Sequence, residues 1–170
     1  MALGNDYELQ DCGVARALEV VGERWTILIL RDCLLGVRRF SDLQAHLDIA
    51  KGVLAQRLAG LVEHGLLEKR SDGGHPEYLL TEAGLAFAPV LATLAHWGKT
   101  YANPDDLPTR RWRHLCGTDL DQQGRCPRCD LVPPIRDVFS APDPDRPTRR
   151  TDPVARRLDT EHRFLDPIRP

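Results

Sequence analysis

A run of thirteen residues, Glu23-Arg24-Trp25-Thr26-Ile27-Leu28-Ile29-Leu30-Arg31-Asp32-Cys33-Leu34-Leu35, closed by Gly36, limits more than any other feature how this chain can fold. It is too apolar for a half-exposed helix, and a glycine at its end suits a left-handed C-terminal cap. Ile27-Leu28-Ile29-Leu30 alone reads equally well as a strand, but the length of the run and its glycine stop favour a helix. With 170 residues there is room for one ordinary domain, or a small domain with an appendage. This segment is therefore expected to be the central buried helix, with the rest of the chain packed around it.

The flanking segments can be read by their periodicity. Val14, Ala15, Leu18 and Val21 form one stripe of a first helix that Gly22 interrupts. Ser41-Asp42-Leu43-Gln44 has the form of a capping box, which predicts that Ser41 caps a short helix with Leu43 and Leu47 inside. A second helix then runs to about His64 on Val53, Leu54, Leu58, Leu61 and Val62, making a helix-turn-helix. The period next switches. Residues 66–71 and 77–80 are short strand candidates around a turn rich in glycine, which reads as a hairpin. Thr81 is a candidate N-cap for a helix over roughly 82–102, striped by Phe87, Val90, Leu91, Leu94, Trp97 and Tyr101, and Pro89 is expected to kink or restart it. The fold class is mainly α with a small β-hairpin, a winged helix-turn-helix.

That order places the second helix of the motif in a DNA major groove and the hairpin, or wing, along the backbone. With Val53, Leu54, Leu58 and Leu61 inside, the long polar side chains facing outward are Lys51 and Gln56, and Gln56 can pair bidentately with adenine. Arg38, Arg39, Arg57, Lys69 and Arg70 are candidate phosphate contacts, as are Ser41 and Gln44 at a helix N-terminus. Taken singly, each charge also fits a solvated surface position. As a group they are the basic residues of elements that should face DNA. Trp25, Phe40, Trp97 and Tyr101 read as core or dimer contacts rather than as a ligand cage.

Seven segments in order, Cys12-Gly13-Val14-Ala15-Arg16-Ala17-Leu18, Gly22-Glu23-Arg24-Trp25-Thr26, Leu28-Ile29-Leu30-Arg31, Arg38-Arg39-Phe40-Ser41-Asp42-Leu43, Leu54-Ala55-Gln56-Arg57-Leu58, Gly65-Leu66-Leu67 and Leu80-Thr81-Glu82-Ala83-Gly84, resemble the HxlR-type transcriptional regulators, relatives of the MarR group. The resemblance covers residues 12–103. It implies a DNA-binding and dimerisation domain there and a cytoplasmic homodimer on an inverted-repeat, double-stranded DNA operator, with terminal helices building the interface. It names no effector. Where the family often has a Ser or Thr cap at the start of the recognition helix, this chain has Ala50-Lys51-Gly52. Some regulators of this type sense oxidants or electrophiles through a cysteine at the position of Cys12, which precedes the first helix and whose thiolate a helix N-terminus favours. The competing reading makes Cys12 a packing residue. Cys33, inside the apolar helix, is read as packing.

Composition shifts near residue 104, since ten of the 13 prolines lie beyond it. His114-Leu115-Cys116 and Cys126-Pro127-Arg128-Cys129 offer four soft ligands in two close pairs, the donor set of a structural zinc site in a small segment, 110–135, with little core of its own. Free thiols and a redox disulfide are the alternatives, and the one-residue spacing leaves the fourth ligand open. Residues 140–170, rich in Pro, Asp and Arg, are expected to be disordered.

Other classes find little support. A net charge of −2 excludes a histone-like polycation, so any nucleic-acid site is a local basic surface. No window approaches the roughly 20 apolar residues of a membrane helix. Residues 1–11 are acidic and unlike a signal peptide, which points to the cytoplasm. No catalytic motif is visible, so no enzyme is expected. The alternative to a regulator is a protein-interaction module that uses the winged helix and the zinc knuckle without reading DNA.

Overall fold

In the computed structural model, residues 7, 10–71, 73–102, 109–144, 148 and 150–169 are described. Helix α1 spans Gly13–Val21 and α2 Arg24–Leu34, followed by α3 Phe40–Leu47 and α4 Lys51–Glu63. Strands β1 (Leu67–Arg70) and β2 (Glu77–Leu80) pair antiparallel with Leu67 opposite Leu80 and Arg70 opposite Glu77, the expected wing. Among the described residues no helix is long and apolar enough to cross a membrane.

The apolar run folds as the expected central helix. Ile29, Leu30 and Leu34 of α2 are fully buried against Leu43 of α3 and Leu54, Leu58 and Leu61 of α4. Each such side chain contributes about 1.5–3 kcal/mol by leaving water. Thr81 caps α5 (Glu82–Ala86), its hydroxyl oxygen accepting from Gly84 N–H at 3.2 Å. The helix then breaks at Phe87 and restarts as α6, Ala88–Tyr101, with Pro89 in its first turn, where the missing N–H costs nothing.

The capping expectation at Ser41 is corrected. Helix α3 begins two residues earlier than a Ser41 cap requires, its N-cap is Arg39 with no side-chain cap, and the Ser41 hydroxyl donates to the adjacent Asp42 carboxylate at 3.2 Å. Phe40, which packs against the core, draws the helix start toward itself.

Over the described residues of 140–170 the expectation of disorder is also corrected; residues 145–147, 149 and 170 lie outside the described residues. Strand β3 (Arg110–His114) pairs antiparallel with β4 (Val138–Pro142), β4 pairs with the two-residue β5 (His162–Arg163), and α7 spans Pro153–Arg157. Val138, Val154, Leu158, Phe164 and Ile168 are buried in the same core as α2. The Leu165 N–H donates to the Leu34 carbonyl (2.8 Å), the Ile168 N–H to the Gly36 carbonyl (3.0 Å), and Arg38 Nη2 to the Leu165 carbonyl (2.7 Å). The segment is short of apolar residues for a core of its own, but those it has enter one that already exists. Nor does the 110–135 region stand alone, because Trp112 and Leu120 pack against that core.

Two further contacts hold the C-terminal part to the helix-turn-helix. Asp32 is fully buried, its Oδ1 accepting from Arg31 Nε (2.9 Å) and Nη2 (2.7 Å) with His46 Nε2 at 4.0 Å. The other ring nitrogen of His46, on α3, lies 2.9 Å from Asp152, which caps α7 by accepting from Ala155 N–H. Partial burial opposes ionisation of Asp152, but the Ala155 N–H, His46 and Arg150 outweigh it and hold the carboxyl down to about 2.

Gly36 makes the docking possible. Its φ is +88°, and a Cβ there would meet the Asp166 carbonyl oxygen at 1.8 Å. Gly36→Ala is expected to cost at least about 1–3 kcal/mol from backbone strain alone and to loosen residues 162–168. Gly60→Ala, in α4 with open space around it, is expected to be neutral or to stabilise by up to about 1 kcal/mol. Urea unfolding of the two variants checks the contrast.

Candidate nucleic-acid interface and metal centre

Helix α4 is held by Leu54, Leu58 and Leu61, which turns Lys51, Gly52, Ala55, Gln56 and Ala59 to solvent. Ala50 precedes it without a side-chain cap, so the first-turn N–H groups are unclaimed by any capping side chain. Among the described residues, no hydrogen bond or ion pair engages the side chain of Lys51, Gln56 or Gln44. On the wing, the exposed Lys69 ammonium lies 6.0 Å from the Tyr78 ring centroid, and Arg70 pairs with the exposed Glu68.

The other candidate arginines are engaged within the protein. Arg38 points inward, bonded to the Leu165 carbonyl and 3.8 Å from Glu77. Arg39 also lies 3.8 Å from Glu77, and Arg57 lies 3.4 Å from Glu23 with its Nε buried and unpartnered. The pairs of Arg39 and Arg57 each have a half-exposed or exposed member, so each holds its side chain by roughly 1 kcal/mol or less. Arg38 is different, because releasing it would uncover a backbone contact of the C-terminal segment.

A second surface is apolar. Val14 and Leu18 on α1 and Val90, Leu94, Trp97 and Tyr101 on α6 are exposed, Tyr101 by 73%. Leu91 is buried and Phe87 half-buried, so the expected stripe divides between the core and the solvent face. Trp25 and Phe40 pack against the core.

The four soft ligands converge. Strand β3 delivers His114 at its last position, and a turn at Gly117 (φ +85°) brings Cys116 back beside it. Asp121 shapes the following loop, accepting from the N–H groups of Gln123 (2.9 Å) and Arg125 (2.8 Å). Cys126 bridges Leu131, and Asp130, at φ +55°, donates its N–H to the Cys126 carbonyl to close the knuckle that carries Cys129. The ligand atoms of His114, Cys116, Cys126 and Cys129 all lie within 4.8 Å of one another.

Two observations make this donor set fit a tetrahedral cation such as zinc. His114 Nδ1 is buried with no hydrogen-bond partner, an orphan that a metal would satisfy. Three thiols this close also cannot all ionise without a cation. Cys116 titrates low, at about 6, because the Thr118 side chain hydrogen-bonds it, while its hydrogen bond with Cys116 pushes Cys129 up to about 11. His162, the other histidine of the C-terminal part, is engaged elsewhere, with Nε2 3.1 Å from the Asp166 carbonyl.

Cys12 is exposed at the N-cap position of α1, where the N–H groups of Ala15 and then Val14 lower its pKa. Cys33 is buried, and desolvation raises its pKa strongly. The linkage from Asp32 through His46 to Asp152 was not foreseen, and the only hint in the sequence is a carboxylate inside an apolar run.

An uncharacterized HTH-type transcriptional regulator of Mycobacterium tuberculosis is 42% identical over 135 residues, covering 77% of this chain and 85% of that protein. The regulator YvaP of Bacillus subtilis, also uncharacterized, is 33% identical over 54% of this chain and 89% of that protein. Among solved structures, that of PA1607, a candidate transcription factor, superposes with a TM-score of 0.63 at 36% identity, covering 74% of this chain and 91% of that one. The family model for the HxlR-like helix-turn-helix matches residues 20–106. The chain belongs to the HxlR-like helix-turn-helix family of transcriptional regulators.

Proposed function

We propose that this protein is a homodimeric regulator that binds an inverted-repeat DNA operator through α4 and the wing and carries one structural zinc per subunit. The observation that carries the reading is the exposed face of α4, where Lys51 and Gln56 are unengaged while most neighbouring arginines are tied to carboxylates. Gln56 reads a base edge, whereas Lys51, Lys69, Arg70, Ser41 and Gln44 meet phosphates and set the register. Arg39 and Arg57 reach phosphate by exchanging weak pairs. Arg38 supports the surface from behind.

The exposed stripe on α1 and α6 supports self-association, because its aromatic and aliphatic members leave water only against a second subunit. A two-fold dimer matches a palindromic site with half-sites about one helical turn apart, roughly 10 bp, or a multiple of it. Trp97→Glu is expected to shift the protein to monomer in sedimentation velocity at micromolar concentration and to abolish binding to the full operator. A wild-type monomer that still binds one half-site tightly would contradict the dimer.

Gln56→Ala is expected to reduce discrimination at one or two base pairs by about 1–3 kcal/mol. Arg70→Ala is expected to weaken all sequences alike and flatten the salt dependence. Gel shifts across a salt series, on the DNA flanking the gene and on scrambled DNA, separate the two. Equal loss on both DNAs for Gln56→Ala contradicts the base-reading role. Absence of any sequence preference in the wild type favours the protein-interaction module.

His114, Cys116, Cys126 and Cys129 would hold the zinc, which supplies charge compensation for the thiolates and crosslinks the 114–129 loop. Elemental analysis is expected to find about one zinc per subunit, falling as pH drops because the thiolates must lose protons to bind. A chelator is expected to raise hydrogen exchange over 110–135 and leave α2 to α4 protected. No metal in protein prepared under reducing, chelator-free conditions, or unchanged zinc in a Cys126→Ser, Cys129→Ser double variant, contradicts the assignment. Cys12 is the candidate redox sensor, exposed and favoured as thiolate.

A further inference from the structure

A cavity of about 670 Å³ opens where α2 and α6 face β3. This is the size of small-ligand sites, roughly 300–1,000 Å³. It lies between the family domain and the C-terminal extension, since the family match ends at residue 106 and the β3 wall lies beyond it. Its apolar lining includes Leu28, Leu91, Trp112 and Phe164, the last two with ring centroids 4.6 Å apart.

Two cations on its walls have no ion-pair partner among the described residues. Arg31 and Arg111 are paired with Asp32 and Asp119, but among the described residues no carboxylate lies within ion-pair distance of Lys99 or Arg110. Arg110 is bonded to neutral acceptors only, the Ser140 hydroxyl and carbonyl and the carbonyls of Leu158 and Thr160. Burial lowers its pKa to about 10. The lining carboxylates have donors of their own: Asp119 holds Arg111 and Arg113, Asp121 keeps its charge and accepts two backbone N–H groups, and Asp143 is engaged. Two lining residues on or beside β3 carry buried polar atoms without a partner, Thr109 Oγ1 and Arg111 Nε. A hydroxyl and a guanidinium N–H left unpaired near the unpaired Lys99 ammonium are donors in want of an acceptor, which a carboxylate supplies.

We propose that this cavity binds an amphipathic monoanion, an aromatic or medium-chain carboxylate, whose apolar body lies against Leu28, Leu91 and Trp112 and whose charge is met by Arg111 and Lys99. The inference adds a ligand site to the regulator and does not depend on how it reads DNA. Because α6 also carries the exposed apolar stripe, an occupant touching both α6 and β3 couples the C-terminal part to the surface proposed for dimerisation.

Calorimetric titration of the full-length, metal-loaded protein with 2-naphthoate, octanoate and the neutral isostere 2-naphthamide tests it. The naphthoate is expected to bind once per subunit and about ten-fold or more tighter than the amide, the difference a charge-assisted hydrogen bond supplies. Arg111→Gln is expected to remove that preference, and Ala92→Trp, which fills the cavity from α6, to abolish binding of both. Should Arg111→Gln fail to fold, Lys99→Gln, on an exposed position, is expected to weaken the naphthoate several-fold and leave the amide unchanged. Equal affinity for acid and amide, binding unaffected by Ala92→Trp, or no binding of either acid at low millimolar concentration overturns the proposal.

Discussion

The backbone hydrogen bonds from Leu165 and Ile168 to the carbonyls of Leu34 and Gly36 fix where the last third of the chain can lie. Those carbonyls belong to the end of α2, where a helix leaves acceptors unused. Any side chain at position 36 would occupy the space of the Asp166 carbonyl. With the bonds formed, Phe164 and Ile168 enter the core, β5 lies beside β4, and β3 is carried to the edge where it forms one wall of the cavity. The cluster of His114, Cys116, Cys126 and Cys129, which could hold a metal, then sits at the end of β3, and its loop is anchored by the pairing of β3 with β4.

The same docking reaches the helix-turn-helix. Arg38 supports the C-terminal segment, and His46 on the first helix of the motif faces Asp152 on one side and the buried Asp32 on the other. Asp32 keeps one carboxylate oxygen unpartnered in a fully buried position, a cost that the Arg31 and His46 contacts only partly offset. Polar groups therefore tie α2, α3 and α7 together in a specific geometry, while α4, held mainly by leucines, keeps its outward face clear. The regulator's extension is thus continuous with the helices that position the recognition helix.

The helices and the wing were legible because their apolar residues follow a period that packing alone enforces: Leu54, Leu58 and Leu61 stay inside whatever surrounds them. The convergence of His114, Cys116, Cys126 and Cys129 was legible because two close pairs survive as a local pattern. Ser41 was misread because a capping box is a weak local preference, and burying Phe40 outweighs it. The tail was misread because composition measures whether a segment can build a core, not whether Val154, Leu158, Phe164 and Ile168 can join one. The Asp32, His46 and Asp152 contacts were invisible for the same reason, since 106 residues separate the last two. So was the cavity, whose walls come from segments far apart in sequence.

That the C-terminal segment and the winged helix form one cooperative unit is tested most directly by native-state hydrogen exchange of the protein in increasing denaturant. The Leu165 and Ile168 amides should exchange only through global unfolding, with the same denaturant dependence as the Ile29 and Leu30 amides of α2. Exchange of Leu165 and Ile168 through a local opening with little denaturant dependence, while α2 stays protected, would contradict the account.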